Sequence, residues 1–224
     1  MGTTQYSDSY IAFIDILGFK KLIENNDCSS IYKIFAKKFN NPVSNISIDG
    51  KSIIDMQAID MRVMSDSICF FVQADIPNAL VGLVKVCQHF QNELLQMDPP
   101  ILTRGAIVRG NLFAEGNIIF GPAFVKAYLM EENNAKHPRI ILTKEVLDSA
   151  LDNTSNNARN IVYFSTFRDY DAYYTIDYFE LAEGLDTDNT RTPALTDYIN
   201  HILDSVTDGS VREKYLYVKK HLER

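Results

Sequence analysis

The stretch Tyr10-Ile11-Ala12-Phe13-Ile14-Asp15-Ile16-Leu17-Gly18-Phe19-Lys20 decides how the rest of the chain is read. From Tyr10 to Ile16 it is almost continuously apolar and β-prone, the pattern of a strand buried on both faces. Gly18 breaks the strand, and Phe19 to Glu24 begins a helix. One carboxylate, Asp15, lies near the strand's C-terminal end. Taken singly it reads as the residue that leaves the sheet and caps the following helix.

Working outward, Ile31, Ile34, Phe35 and Phe39 recur at helical spacing between Ser29 and Asn40, with Ser29 or Ser30 as cap and Pro42 as stop. Met56 to Met64 and Ile68 to Gln73 are strand-like runs, joined by Ser65-Asp66-Ser67, which is good turn chemistry. Asp75-Ile76-Pro77 opens a helix whose stripe is Leu80, Leu83, Val84, Cys87, Phe90 and Leu94, with Pro77 in the tolerated first turn and Pro99-Pro100 as stop. Leu102 to Gly110 reads as a strand, Asn111 to Asn117 as a loop, and Ile118 to Phe120 as a short strand before Gly121-Pro122. A helix to Glu132, a strand from Arg139 to Leu142 and a helix from Lys144 to Leu151 follow. Asp152 to Asn160 reads as a loop, Ile161 to Phe164 with Ala172 to Tyr178 as an aromatic hairpin, and Leu195 to Ser205 and Ser210 to Leu222 as closing helices.

The order strand, helix, strand, strand, helix, strand predicts an α+β fold. It is the split βαβ (ferredoxin-like) arrangement, an antiparallel sheet with helices on one face, followed by a C-terminal hairpin and helices. A polar dip from Ala182 to Pro193 separates residues 1–181, read as the main domain, from a helical extension over 182–224. Many activities live on such folds, so function rests on the site.

Composition narrows the field. The chain has 224 residues, 46% hydrophobic and 23% charged, which suits a globular protein with one core. Lys+Arg 22 against Asp+Glu 29 gives a net charge of −7, which argues against duplex nucleic acid or an anionic membrane as partner. No apolar run approaches the ~20 residues of a membrane span, and the expected location is the cytoplasm. Cys28, Cys69 and Cys87 lack C-x-x-C spacing and read as reduced thiols. His89, His137, His201 and His221 have no mutual ligand spacing.

Asp66, like Asp15, has an ordinary explanation when taken alone, as a turn residue. Together they say more. In a split βαβ sheet the end of the first strand lies beside the tip of the following hairpin, so both carboxylates would enter one small volume. A bound divalent cation is a common way to hold such a pair ionised, and carboxylate, carbonyl and phosphate oxygens suit Mg²⁺ or Mn²⁺. Gly18, Phe19 and Lys20 open a helix just past this pair, where backbone N–H groups would attract phosphate.

Phe13-Ile14-Asp15-Ile16-Leu17-Gly18-Phe19 resembles the first metal motif of class III adenylate and guanylate cyclases. Ser65-Asp66-Ser67, followed by Ile68-Cys69-Phe70-Phe71, resembles the second, with Ser65 where a glycine is usual. Arg104-Gly105-Ala106-Ile107-Val108-Arg109-Gly110 and the run from Phe120 to Glu131 are similar to the later strand and helix of the same domain. The set is closest to the Pycsar pyrimidine cyclases of bacterial anti-phage defence and covers roughly Tyr10 to Ala150. The resemblance departs from purine cyclases at Ile118, where an aspartate reads the base, and at Val125 and Leu129, where an asparagine orients the ribose and an arginine stabilises the transition state.

The resemblance implies a two-metal cyclisation. Asp15, Asp66 and the Ile16 carbonyl would hold two Mn²⁺ or Mg²⁺ ions, the N–H groups of Phe19 and Lys20 would cradle the triphosphate, and Arg104 would stabilise charge near the α-phosphate. Lys126 and Arg139 are further cationic candidates. The implied substrate is a pyrimidine nucleoside triphosphate, UTP ahead of CTP. The product, cUMP for UTP, would be a second messenger for a separate effector that the protein does not contact. A C2 homodimer with two sites is expected. The alternatives are an inactive cyclase-like nucleotide-binding module, a purine cyclase and a purely structural domain.

Overall fold

The computed structural model describes residues 5–32, 47–48, 51–52, 56–149, 156–179 and 191–223. Strand β1 (Ser7–Ile16) is central. It is followed by helix α1 (Phe19–Asn25), a helical turn at 28–32 and the small pair β2 (Ser47–Ile48) and β3 (Lys51–Ser52). The remaining residues of the helix expected from Ser29 to Asn40, the loop residues 152–155 and most of the dip from Ala182 to Pro193 lie outside the described residues. Next come β4 (Asp60–Met64), β5 (Ser67–Gln73), α2 (Ala79–Leu95), β6 (Thr103–Glu115), β7 (Ile118–Phe120), α3 (Pro122–Asn134), β8 (Ile140–Leu142) and α4 (Lys144–Ser149). The described chain ends with α5 (Asn156–Phe164), β9 (Thr166–Arg168), β10 (Tyr174–Ile176), α6 (Arg191–Ser205) and α7 (Gly209–Leu222).

The main sheet runs β4-β5-β1-β6-β8-β10-β9, with β7 pairing the outer part of β6. The first four strands are antiparallel in the expected split βαβ order, and β8 joins β6 in parallel. Alternation along β1 divides the core. Tyr10, Ala12, Ile14 and Ile16 pack with Leu80, Leu83, Val84, Cys87 and Phe90 of α2. Ile11 and Phe13 face Ala123, Ala127 and Met130 of α3. Helices therefore cover both faces, not one as expected. The continuous apolar run of β1 requires this, because a half-exposed strand would alternate with polar residues.

Four further expectations are corrected. The turn between β4 and β5 is the two-residue Ser65-Asp66, since Met64 pairs with Ser67 and Ser67 already belongs to β5. Ser65 has φ 58, the left-handed region that explains why glycine is usual there. Pro77 lies outside α2, which begins at Ala79 after Asn78 at φ 61. Asn111 to Glu115 continues β6 instead of forming a loop, because β7 supplies a ladder partner and the Phe113 ring packs at a tilt against Phe120, centroids 4.9 Å apart. Ile161 to Phe164 is the end of α5, and the hairpin lies further along, at β9 and β10.

Gly105 lets β6 lie close against β1. A Cβ there would come within 2.6 Å of the Phe13 carbonyl oxygen and 3.2 Å of the Ile14 Cα. Helices α6 and α7 join a third cluster, where Ile199, Leu203, Tyr217 and Val218 pack with Leu95, Leu102, Tyr178 and Phe179. Cys28, Cys69 and Cys87 are free thiols. No helix among the described residues is long and apolar enough to cross a membrane.

Candidate active site

Asp15 is the penultimate residue of β1, with Ser67 of β5 opposite on one side and Arg104 of β6 on the other. It falls on the same face as Ile11 and Phe13, towards α3, and its side chain is 20% exposed. Asp66 is exposed in the neighbouring turn. The Ile16 N–H donates to the Asp66 carbonyl oxygen at 2.9 Å, so the backbone of the strand end and that of the hairpin tip meet directly.

Arg104 occupies the space beside Asp15. Its Nε lies 3.1 Å from Asp15 Oδ2 and 2.8 Å from Glu131 Oε1. The single Nε hydrogen is directed at Asp15, and Oε1 of Glu131 is left without a hydrogen bond. Glu131 belongs to the buried stripe of α3, with its side chain only 4% exposed. Burial pushes its carboxyl up to about 7, with Arg104 opposing the shift and Asp15, Glu132 and Asp66 adding to it. Asp15 and Asp66 thus act on one buried acid.

Glu131 closes the cyclase-like run from Phe120, and nothing in that run by itself marks it as a site residue. Its position held a usable sign, a charged residue at the helical spacing of Ala123, Ala127 and Met130. Gly18 takes φ 75 and precedes α1, whose Leu22 N–H donates to the Gly18 carbonyl at 3.1 Å. Phe19 packs partly on the α2 side of the core, and Lys20 extends into solvent 3.8 Å from Glu24.

Arg139 is not brought to this site. Its carbonyl accepts from the Gly105 N–H at 2.9 Å, one strand from Arg104, but its side chain, 1% exposed, is committed to Asp169 and Asp171, which is a structural pairing and corrects its reading as a site cation. Lys126 is exposed on α3 and lines a shallow groove with Val125, Leu129 and Tyr173. The positions of departure, Ile118, Val125 and Leu129, are exposed, as are Phe120 and Tyr128.

The donor set suits a divalent cation held jointly with a substrate. Among the described residues no three His, Cys, Asp or Glu side chains form a self-contained metal cage. Mg²⁺ commonly uses one or two carboxylates and completes its shell with water and substrate phosphates. Burial is the largest cause of the raised Glu131 carboxyl, and among the charges around it Arg104, which opposes the shift, outweighs Asp15 or Asp66 taken singly.

The fold is that of class III nucleotidyl cyclase catalytic domains. One similar structure is the monomeric guanylyl cyclase domain of the RhoGC fusion protein from the aquatic fungus Blastocladiella emersonii, at 12% identity and a TM-score of 0.52. The match covers 77% of this chain and 96% of that one. A second is the catalytic core of a rhodopsin-guanylyl cyclase with converted specificity in complex with ATPalphaS, at 12% identity, TM-score 0.51 and the same coverages of 77% and 96%. No protein-family model and no curated protein matches the chain by sequence.

Proposed function

We propose that the chain is a nucleotide cyclase that converts a pyrimidine nucleoside triphosphate, UTP ahead of CTP, into a 3′,5′-cyclic monophosphate and pyrophosphate. The observation that carries this reading is the Ile16 N–H bond to the Asp66 carbonyl, because it sets two aspartates side by side at one end of a cyclase-like sheet. Asp15, Asp66 and the Ile16 carbonyl would hold two divalent cations, Mn²⁺ or Mg²⁺. Bound there, the ions would lower the pKa of the ribose 3′-hydroxyl and neutralise charge on the triphosphate. Phe19 and Lys20 offer backbone N–H groups to the terminal phosphates, and Arg104 offers its guanidinium near the α-phosphate. The preference for a pyrimidine rests on the resemblance and on Ile118, Val125 and Leu129, which supply none of the polar groups that a purine cyclase uses.

Val125, Tyr128 and Leu129 form an exposed apolar row on α3 beside Ile118 and Phe120. This row supports a homodimer in which each subunit completes the other's site. Residues 1–181 form the catalytic domain and 182–224 its helical extension. The cyclic product serves anti-phage defence as a second messenger for a separate effector. A second reading, an inactive nucleotide-binding module, is favoured by one observation, the pairing of Asp15 with Arg104.

Incubation with each of the four triphosphates and Mn²⁺, read by product mass, tests the proposal. UTP should give a cyclic product. Asp15→Ala and Asp66→Ala should each lower turnover by roughly a hundredfold or more, the scale for losing a main electrostatic stabiliser. Equal turnover by the wild type and both variants would remove the site, and triphosphate binding without pyrophosphate release would establish the inactive module.

A further inference from the structure

One guanidinium here faces two carboxylates in unequal ways. Arg104 Nε donates its only hydrogen to Asp15, although Glu131 Oε1 lies nearer, at 2.8 Å against 3.1 Å. Oε1 is buried, has no hydrogen bond, and lies at the edge of a site that solvent reaches from the Asp15 side. An unsatisfied buried carboxylate oxygen is costly, and a protein that retains one invites a functional explanation.

Asp15 cannot serve a guanidinium and a divalent cation equally, because two cationic groups on one carboxylate repel each other. A cation entering at Asp15 must displace Arg104 or share its oxygen at a cost. An arginine displaced into a partly buried site without an acceptor would be left uncompensated. The acceptor is already in contact. The planar guanidinium carries five donors, so a small rotation turns a hydrogen towards Oε1 without moving β6.

We propose that Arg104 and Glu131 form a counter-ion exchange at the cation site, in which Arg104 holds Asp15 in the cation-free protein and passes to Glu131 Oε1 when a divalent cation takes Asp15. This rests on the reading of Asp15 as a cation ligand. Glu131 is then a positioning residue, since it touches neither cation nor substrate and acts only through Arg104. The exchange makes cation entry easier and retains the guanidinium within the site.

The test is Mn²⁺ binding to the full chain, measured by titration calorimetry without nucleotide. Glu131→Gln should weaken Mn²⁺ binding by about tenfold, the scale for removing a supporting residue of a metal site. In an Arg104→Gln background the same substitution should change affinity by less than about twofold, because the effect is transmitted through the arginine. Equal weakening in both backgrounds would mean that Glu131 acts only through space, and the exchange would be overturned. Glu131→Asp keeps the charge but withdraws the oxygen by one methylene, so it too should weaken binding; wild-type affinity in this variant overturns the proposal even if the glutamine variant fails to fold. Asp15→Asn separates the two levels of the argument. Unchanged Mn²⁺ affinity there removes the cation site and the exchange with it, whereas lost affinity combined with additive Glu131 and Arg104 effects removes the exchange alone.

Discussion

Two arginines in this molecule each face a pair of carboxylates, and they do so in opposite ways. Arg139 is buried, donates from Nη1 to Asp169 at 2.6 Å, and pairs through Nη2 with Asp171. Asp169 also accepts from the Tyr217 hydroxyl at 2.8 Å, and Tyr170 and Tyr217 lie against the guanidinium. Arg104 is partly exposed, reaches its pair through one nitrogen, and leaves a buried oxygen unbonded. The first arrangement ties α7 to the β9–β10 hairpin. The second engages one solvent-reached and one buried carboxylate through a single nitrogen. Each arrangement leaves one buried atom without a hydrogen bond, Arg139 Nε in the first and Glu131 Oε1 in the second, so what separates them is burial and the number of guanidinium nitrogens engaged.

The sharpest test of this contrast is stability. Arg139→Gln should cost about 3–5 kcal/mol, because it leaves Asp169 buried without its counter-ion. Arg104→Gln should cost clearly less, because solvent reaches Asp15 and the Glu131 carboxyl, raised to about 7, can take up a proton when its counter-ion is removed. Urea unfolding of both variants measures the difference, and equal losses would erase the distinction.

The next effect is pH dependence. The Glu131 carboxyl is raised to about 7 by burial, whereas an ordinary glutamate titrates near 4.5. Between these values the folded protein binds a proton that the unfolded chain has released, so the contribution of Glu131 is fully present below 4.5 and is lost as pH rises towards 7. In metal-free buffer the wild type should lose on the order of 3 kcal/mol across that window relative to Glu131→Gln. A flat difference between the two would place Glu131 in an ordinary solvated environment.

The smallest change concerns the Arg139 cluster. Tyr217→Phe deletes one donor to Asp169 and should cost about 1–2 kcal/mol, read by thermal unfolding. A neutral outcome would show that Arg139 and the Tyr170 N–H, which also donates to Asp169, suffice without the hydroxyl.

Much of this architecture was legible because local and global patterns agree. The unbroken apolar run of β1 requires cover on both faces, and the polar residues between β4 and β5 can only be a turn. Asp15 and Asp66 followed from those two facts, since the strand order fixes which ends adjoin. The errors arose where tertiary packing overrode composition. Ile161, Val162, Tyr163 and Phe164 are β-prone, yet Val162 and Ser165 are buried while Tyr163 and Phe164 are exposed, a helical spacing stabilised against the α2 side of the core. Asn111 to Glu115 looked like a loop because its strand character comes from β7, seven residues away in the ladder between Phe113 and Phe120. The role of Glu131 could not be read from its own helix, because it depends on Arg104 arriving from β6.

The close approach of β6 to β1 at Gly105 has a consequence for how such a chain can diverge. On the proposed reading of the site, a descendant sequence could exchange Arg104 or Glu131 and still fold, losing only activity. It could not add a side chain at the next position without parting the two middle strands, because the Phe13 carbonyl already fills that space. On that reading shape and activity are inherited separately by adjacent residues, and a descendant without activity would still preserve the glycine.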